Sequence, residues 1–299
     1  MRLARIGTLG AMLFAAAGCQ TDDGGATTPT IPPLAFVRYI NAQPDSISMD
    51  SIFVRQNPVT FAFDTTFYST THTTTLRFID QVEFTPQTFV NVAFRGLGQG
   101  NYQGLEAGSR QFRIFTFDPR FFTTTQLADT AFTFAAGLYY TIVYSRDGTA
   151  AQDVAIFADD VPVSDAQVQF RATHVATGTA GLDVYATAAA NTPIAGAPTA
   201  ANVTFRGQSP WQSRATGAFA AQVTATGNTT SLAGTAAPTG TVGTATADPV
   251  AGAIVPGSVL SAYAFSAAPA VLFYGRSFRA AGTPGIVWYP SRQPARTTP

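Results

Sequence analysis

The chain has no lysine, one cysteine and two histidines, and only 11% of its 299 residues carry charge. Each shortage removes a class of function. A single thiol, Cys19, allows no intramolecular disulfide. A zinc centre needs three or four clustered ligands, which His72 and His174 without a further cysteine do not supply. A hydrolytic triad needs a nucleophile, a base and an orienting acid in hydrogen-bond reach, and no serine sits in a Gly-x-Ser-x-Gly elbow. The reading is therefore not an enzyme, with no catalytic residue, no metal and no cofactor. All 17 basic residues are arginine, a usage that reads as codon bias rather than chemistry, and the formal charge is zero. No basic field exists to gather nucleic acid. Scarce charge does not imply disorder here, because 24 Phe and many β-branched residues are available for burial.

What is present is a duplication. Asn91-Val92-Ala93-Phe94-Arg95-Gly96 returns as Asn202-Val203-Thr204-Phe205-Arg206-Gly207. Upstream, Arg38, Asn41 and Asp50 are matched at the same spacings by Arg171, His174 and Asp183. Downstream, Tyr102-Gln103 before Ala107-Gly108 echoes Trp211-Gln212 before Thr216-Gly217, and Gly137 is matched by Gly257. The preserved order reads as two tandem repeats, residues 34–163 and 164–299, each long enough to bury a core. The first carries 8 Arg against 12 acids and the second 7 Arg against 3, so their net charges are opposite.

Ahead of the repeats, Arg2 and Arg5 precede an uncharged, mainly apolar run from Ile6 to Ala17. It is too short to span a bilayer but suits a signal peptide, residues 1–18. The run ends Ala16-Ala17-Gly18-Cys19, which resembles the lipobox of bacterial lipoproteins. That resemblance implies cleavage between Gly18 and Cys19 and lipidation of the Cys19 thiol. Two or more acyl chains make a stable anchor, so the expected partner is a membrane. Gln20 after the cysteine points to the outer membrane of the cell envelope by the same resemblance. Residues 19–33 form a polar tether containing Gly24-Gly25 and Pro29-Thr30-Ile31-Pro32-Pro33, and its fourteen residues from Gln20 to Pro33 reach at most about 45 Å.

From Leu34 onward the periodicity is two. Phe112 and Ile114 flank Arg113, and Tyr140, Ile142 and Tyr144 alternate with Thr141 and Val143. Turn signals such as Gln43-Pro44-Asp45, Ala136-Gly137 and Asp147-Gly148 separate these runs, and no dozen-residue window forms an amphipathic helix. The pattern predicts an all-β chain of two tandem antiparallel β-sandwiches, immunoglobulin- or transthyretin-like. Asn41-Ala42-Gln43-Pro44-Asp45, Tyr102 through Ala107-Gly108, and Phe134-Ala135-Ala136-Gly137-Leu138-Tyr139-Tyr140-Thr141 resemble the bacterial envelope module called domain of unknown function 4397. Members look like small sandwiches, often in tandem, on secreted or lipid-anchored proteins, and the resemblance implies no activity.

Residues 186–258 are rich in Ala, Thr and Gly, which predicts a less stable second half. Asp50 and Asp183 read as equivalent structural carboxylates that accept backbone or arginine hydrogen bonds. Asp159, Asp160 and Asp165 read as a solvated turn between domains. Gly96-x-Gly98-x-Gly100 reads as a loop, and His174 as a satisfied strand residue. The first repeat is longer, and its extra chain within residues 55–86 predicts an added β-hairpin, with Phe61–Phe63 and Leu76–Phe78 on its two strands. The expected function is a lipid-anchored interaction or structural module whose partner is an envelope protein or a glycan. A carbohydrate-binding or adhesion module, or an envelope hydrolase, is the alternative.

Overall fold

The computed structural model describes residues 32–294 apart from 45–48, 57–58, 61–62, 70–72, 81–87, 99–100, 119–122, 147–152, 164–165, 269–270, 274–275 and 280–281. Gly18, Cys19, His72 and Asp165 lie outside the described residues, as do the signal peptide and most of the tether. Every regular element among the described residues is a strand.

In the first half the strands are β1 (Leu34–Asn41), β2 (Met49–Gln56), β3 (Phe63–Ser69), β4 (Thr73–Phe78), β5 (Thr88–Val92) and β6 (Gly96–Leu97). They continue with β7 (Gln103–Glu106), β8 (Gly108–Asp118), β9 (Thr123–Phe134), β10 (Tyr139–Tyr144) and β11 (Val154–Asp159). The second half contains β12 (Val168–His174), β13 (Gly181–Thr187), β14 (Ala200–Thr204), β15 (Gln212–Arg214) and β16 (Ala220–Ala225). It ends with β17 (Ser231–Ala236), β18 (Val259–Phe265), β19 (Val271–Phe273), β20 (Arg276–Arg279) and β21 (Gly285–Arg292).

Each half is a sandwich of two sheets. In the first, β11-β10-β1-β6, with β7 also on β1, faces β5-β4-β8-β9. In the second, β15-β12-β18-β21 faces β14-β13-β16-β17. No strand pairing among the described residues joins the halves, although residues 33–299 form one compact unit. Most pairings are antiparallel, but β1 runs parallel to β10, and β12 to β18. A parallel pair needs a long crossover, and here the opposite sheet supplies it.

The alternation read from β10 has an unexpected second face. Tyr140, Ile142 and Tyr144 point into the first core with Ala35, Val37 and Tyr39 of β1 and Leu76, Phe112 and Ile114 of the facing sheet. Val143, with Ile40, Ala42 and Phe157, instead joins Val175, Tyr263, Phe265 and Tyr289 of the second half in a shared apolar cluster. The outer face of one sheet in each half is thus buried against the other half. That is why β18, Val259–Phe265, is buried at every position.

Pairing registers fix the equivalences. Arg38 lies opposite Thr141 on β10, and Arg171 lies opposite Ser261 on β18. Val37 pairs with Gln103 as Phe170 pairs with Gln212, and Thr141 with Phe157 as Ser261 with Tyr289. One expected equivalence is overturned. Leu76 pairs with Phe89 and Ile114, while Val184 pairs with Ala200 and Val223, so β13 matches β4 rather than β2. Asp183 therefore corresponds to Thr75, not to Asp50. Asp50 lies on β2, which pairs with β3 in a separate two-stranded sheet.

The added hairpin exists but begins earlier than read. Its strands are β2 and β3, while Leu76 and Phe78 belong to the sandwich itself. Phe61 lies outside the described residues. The second half carries its own extra chain elsewhere. Residues 237–258 separate β17 from β18, where four residues suffice between β9 and β10.

The composition difference is a difference of cores. Tyr39, Phe78, Phe89, Phe112 and Tyr144 correspond by register to Ala172, Ala186, Ala200, Ala221 and Ala264. Trp288, standing where Ile156 stands, and the Phe170–Phe219 pair restore part of the lost volume.

Candidate functional site

The duplicated hexapeptide builds the contact between the halves. Asn91 and Arg95 have φ of 52° and 61°, and Asn202 and Arg206 have 47° and 58°. Left-handed backbone costs a non-glycine residue about 1–2 kcal/mol, so something must hold it. The Arg95 amide donates to Asn41 O at 2.9 Å and the Arg206 amide to His174 O at 2.8 Å. Gly96 and Gly207 then each donate back to the residue three earlier, both at 2.8 Å. A Cβ at either glycine would meet the Ala93 oxygen at 2.7 Å or the Thr204 oxygen at 2.8 Å, which explains why the motif ends in glycine.

This turn aims each arginine across the boundary. Arg95 Nη2 donates to Ser266 O at 2.8 Å and Thr283 O at 2.7 Å in the second half. Arg206 reciprocates, donating from Nη2 to Ser145 O at 2.6 Å and from Nε to Ser145 Oγ at 3.2 Å.

At the centre, two arginines share one carboxylate. Arg38 is completely buried and spends every arm. Its Nε donates to Thr141 Oγ1 at 2.7 Å, Nη1 to Pro290 O at 3.1 Å and Nη2 to Ser291 Oγ at 3.2 Å. Arg171 instead forms an ion pair with the buried Asp159 of the first half. Asp159 also accepts from Thr141 Oγ1 and from the Tyr102 hydroxyl, and its Oδ2 lies 3.9 Å from Arg38. Aromatic rings cover both cations, Tyr102 over Arg38 at 4.5 Å and Trp211 over Arg171 at 4.4 Å. Burial pushes the Tyr102 phenol far above its ordinary pKa, so it acts as a donor to Asp159. Asp159 is thus no solvated turn. Its burial was hidden because the signal lies in pairing, not in local sequence.

The remaining candidates are structural in geometry. The Asn41 amide donates to Val92 O at 2.9 Å and accepts the Gln43 amide at 3.1 Å. His174 Nδ1 accepts the Ala176 amide at 3.1 Å while Nε2 meets Thr179 O at 3.0 Å, which fixes the tautomer with hydrogen on Nε2. Asp183 accepts the Asn202 and Gly227 amides at 2.7 and 2.8 Å, a backbone clamp rather than an arginine partner. Thr75 Oγ1 makes the matching bond to the Asn91 amide at 3.2 Å. Gly137 and Gly257 have φ of 75° and 79° and donate to Leu34 O and Gln167 O. Among the described residues no three His, Cys, Asp or Glu side chains cluster as metal ligands.

No protein-family model matches the chain, and no curated protein matches it. Among solved structures, one similar chain is described as a candidate cell adhesion protein from Bacteroides fragilis NCTC 9343. It is 12% identical, covers 89% of this chain and 100% of its own, and superposes with a TM-score of 0.19.

Proposed function

We propose that the protein is a lipid-anchored, non-enzymatic component of the bacterial envelope, presenting two fused sandwich repeats as an interaction or structural module. One observation carries the reading. The described groups best suited to acid–base chemistry are consumed by structure: Asp159 by Arg171, Thr141 and Tyr102, His174 by two backbone groups, and Asp183 by two amides. The apolar leader ending at Cys19 supports the anchor, and the resemblance to the domain of unknown function 4397 supports the setting.

The test is capture. Lipidated full-length chain, immobilised and exposed to detergent-solubilised native envelope, should retain a defined envelope component. Turnover of an envelope ester or glycan with nothing retained would replace this reading with a hydrolase.

A further inference from the structure

We propose that the second half binds a small single-ring aromatic molecule of phenol size, in an apolar pocket at one mouth of its sandwich. The pocket has a volume of about 230 Å³, and Leu182, Val223, Ala264 and Phe265 form its apolar wall. Hydroxyl-bearing Thr177 and Ser266 also line it, and among the described residues no charged side chain does.

The first half shows what fits. The register that pairs Asn41 with Tyr144 pairs His174 with Ala264, so Ala264 is the counterpart of Tyr144. Tyr144 is 1% exposed, and its ring packs in the core that contains Leu76 and Ile114. By register those two correspond to Val184 and to Val223, which lines the pocket. The first half fills this place with a phenol ring of its own. The second half, with alanine there, leaves it open.

The magnitudes agree with a ring-sized guest. An apolar cavity of about 150 Å³ stays dry and admits benzene, and this pocket is larger. A charged ligand would lose its hydration with no ionic partner on the wall. A phenolic hydroxyl needs only a hydrogen-bond partner, and the Ser266 hydroxyl, 3.3 Å from that of Thr177, supplies one on the wall. Leu232 also lines the pocket and is 39% exposed, so the cavity communicates with solvent along that side. The inference is independent of membrane anchoring, because it concerns the interior of one sandwich.

Titration of the full chain with p-cresol tests it, read by calorimetry and by methyl resonances of Leu182, Val223 and Leu232. Saturable binding at one site that shifts those methyls is expected, with cyclohexanol weaker and hexanoate inert. Ala264→Tyr returns the sister half's ring and should weaken p-cresol binding by more than about tenfold, the equivalent of about 1.4 kcal/mol. Ala264→Val, a smaller change that keeps the fold if tyrosine does not, should give an intermediate loss. No saturable shift, shifts away from these methyls, preferred binding of hexanoate, or undiminished affinity in both variants would each overturn the proposal.

Discussion

Ser291 holds in the second half the place that Asp159 holds in the first, and each faces the arginine of the opposite half. Thr141 bonds to Asp159, and Ser261 bonds to Ser291 at 2.8 Å in the matching position. The buried centre therefore contains two cations and one anion. Removing one partner of a buried pair leaves an uncompensated charge, at a cost of about 3–5 kcal/mol. Asp159→Asn is expected to lower stability by that amount in denaturant unfolding. Ser291→Asp gives Arg38 a carboxylate of its own and should raise the unfolding midpoint, and a lowered midpoint would show that desolvation of the new charge dominates.

His174 sets an acid limit. Burial disfavours its charged form and holds its pKa below the ordinary histidine value. The unfolded chain then takes up the proton more readily. Stability is complete above the unfolded pKa of about 6.5 and is lost as pH falls below it toward the folded value. His174→Asn installs the sister residue, which does not titrate. The thermal midpoint of that variant should depend less on pH between about 7 and 5 than the parent's, and an unchanged slope would assign the loss to other groups.

The glycines should separate by mechanism. Gly137 has φ of 75°, and a Cβ added there would meet nothing within 4 Å, so Gly137→Ala should cost about 1 kcal/mol from backbone strain alone. At Gly207 a Cβ meets the Thr204 oxygen at 2.8 Å, within the turn that aims Arg206. Gly207→Ala should cost about 1–3 kcal/mol and, unlike Gly137→Ala, should weaken the attachment of the halves. Protease susceptibility of the segment between them, residues 160–167, reads that difference.

Removing the hairpin should leave the sandwich intact. Among the described residues β2 and β3 pair only with each other, so replacing residues 49–69 with a short glycine-serine link should preserve one cooperative unfolding transition. A deletion extending through residues 73–78 removes β4, which pairs with both β5 and β8, and should abolish folding of the first half.

Cys19→Ser should release the protein from the membrane fraction, as seen by fractionation and blotting. Retention of the variant would refute lipidation at that residue.

Fold class, the duplication and most repeat equivalences were legible in the sequence, because period-two burial and glycines at positive φ are local requirements. Asp50 was misplaced for a physical reason. An apolar–Asp pair recurs at one spacing after Arg38 and Arg171, but an inserted hairpin keeps spacing from reporting register. Arg38 and Arg171 were recognised as paired positions, yet their partner Asp159 was not. Asp159 precedes Arg171 by only twelve residues, but the two sit on β11 and β12, strands of different sheets that do not pair with each other, so no local periodicity reports their contact. The pocket was equally hidden, since Ala264 is one alanine among many until its counterpart is known to be Tyr144.

Reciprocity between the halves has a consequence for growth. Repeat arrays that elongate use a head-to-tail contact, leaving a fresh face at each end. Here Arg95 reaches Ser266 while Arg206 reaches Ser145, so each half gives and receives through the same patch. Such an isologous contact is closed once made. A third copy joined to this chain could not repeat that contact, because both patches are already engaged with each other.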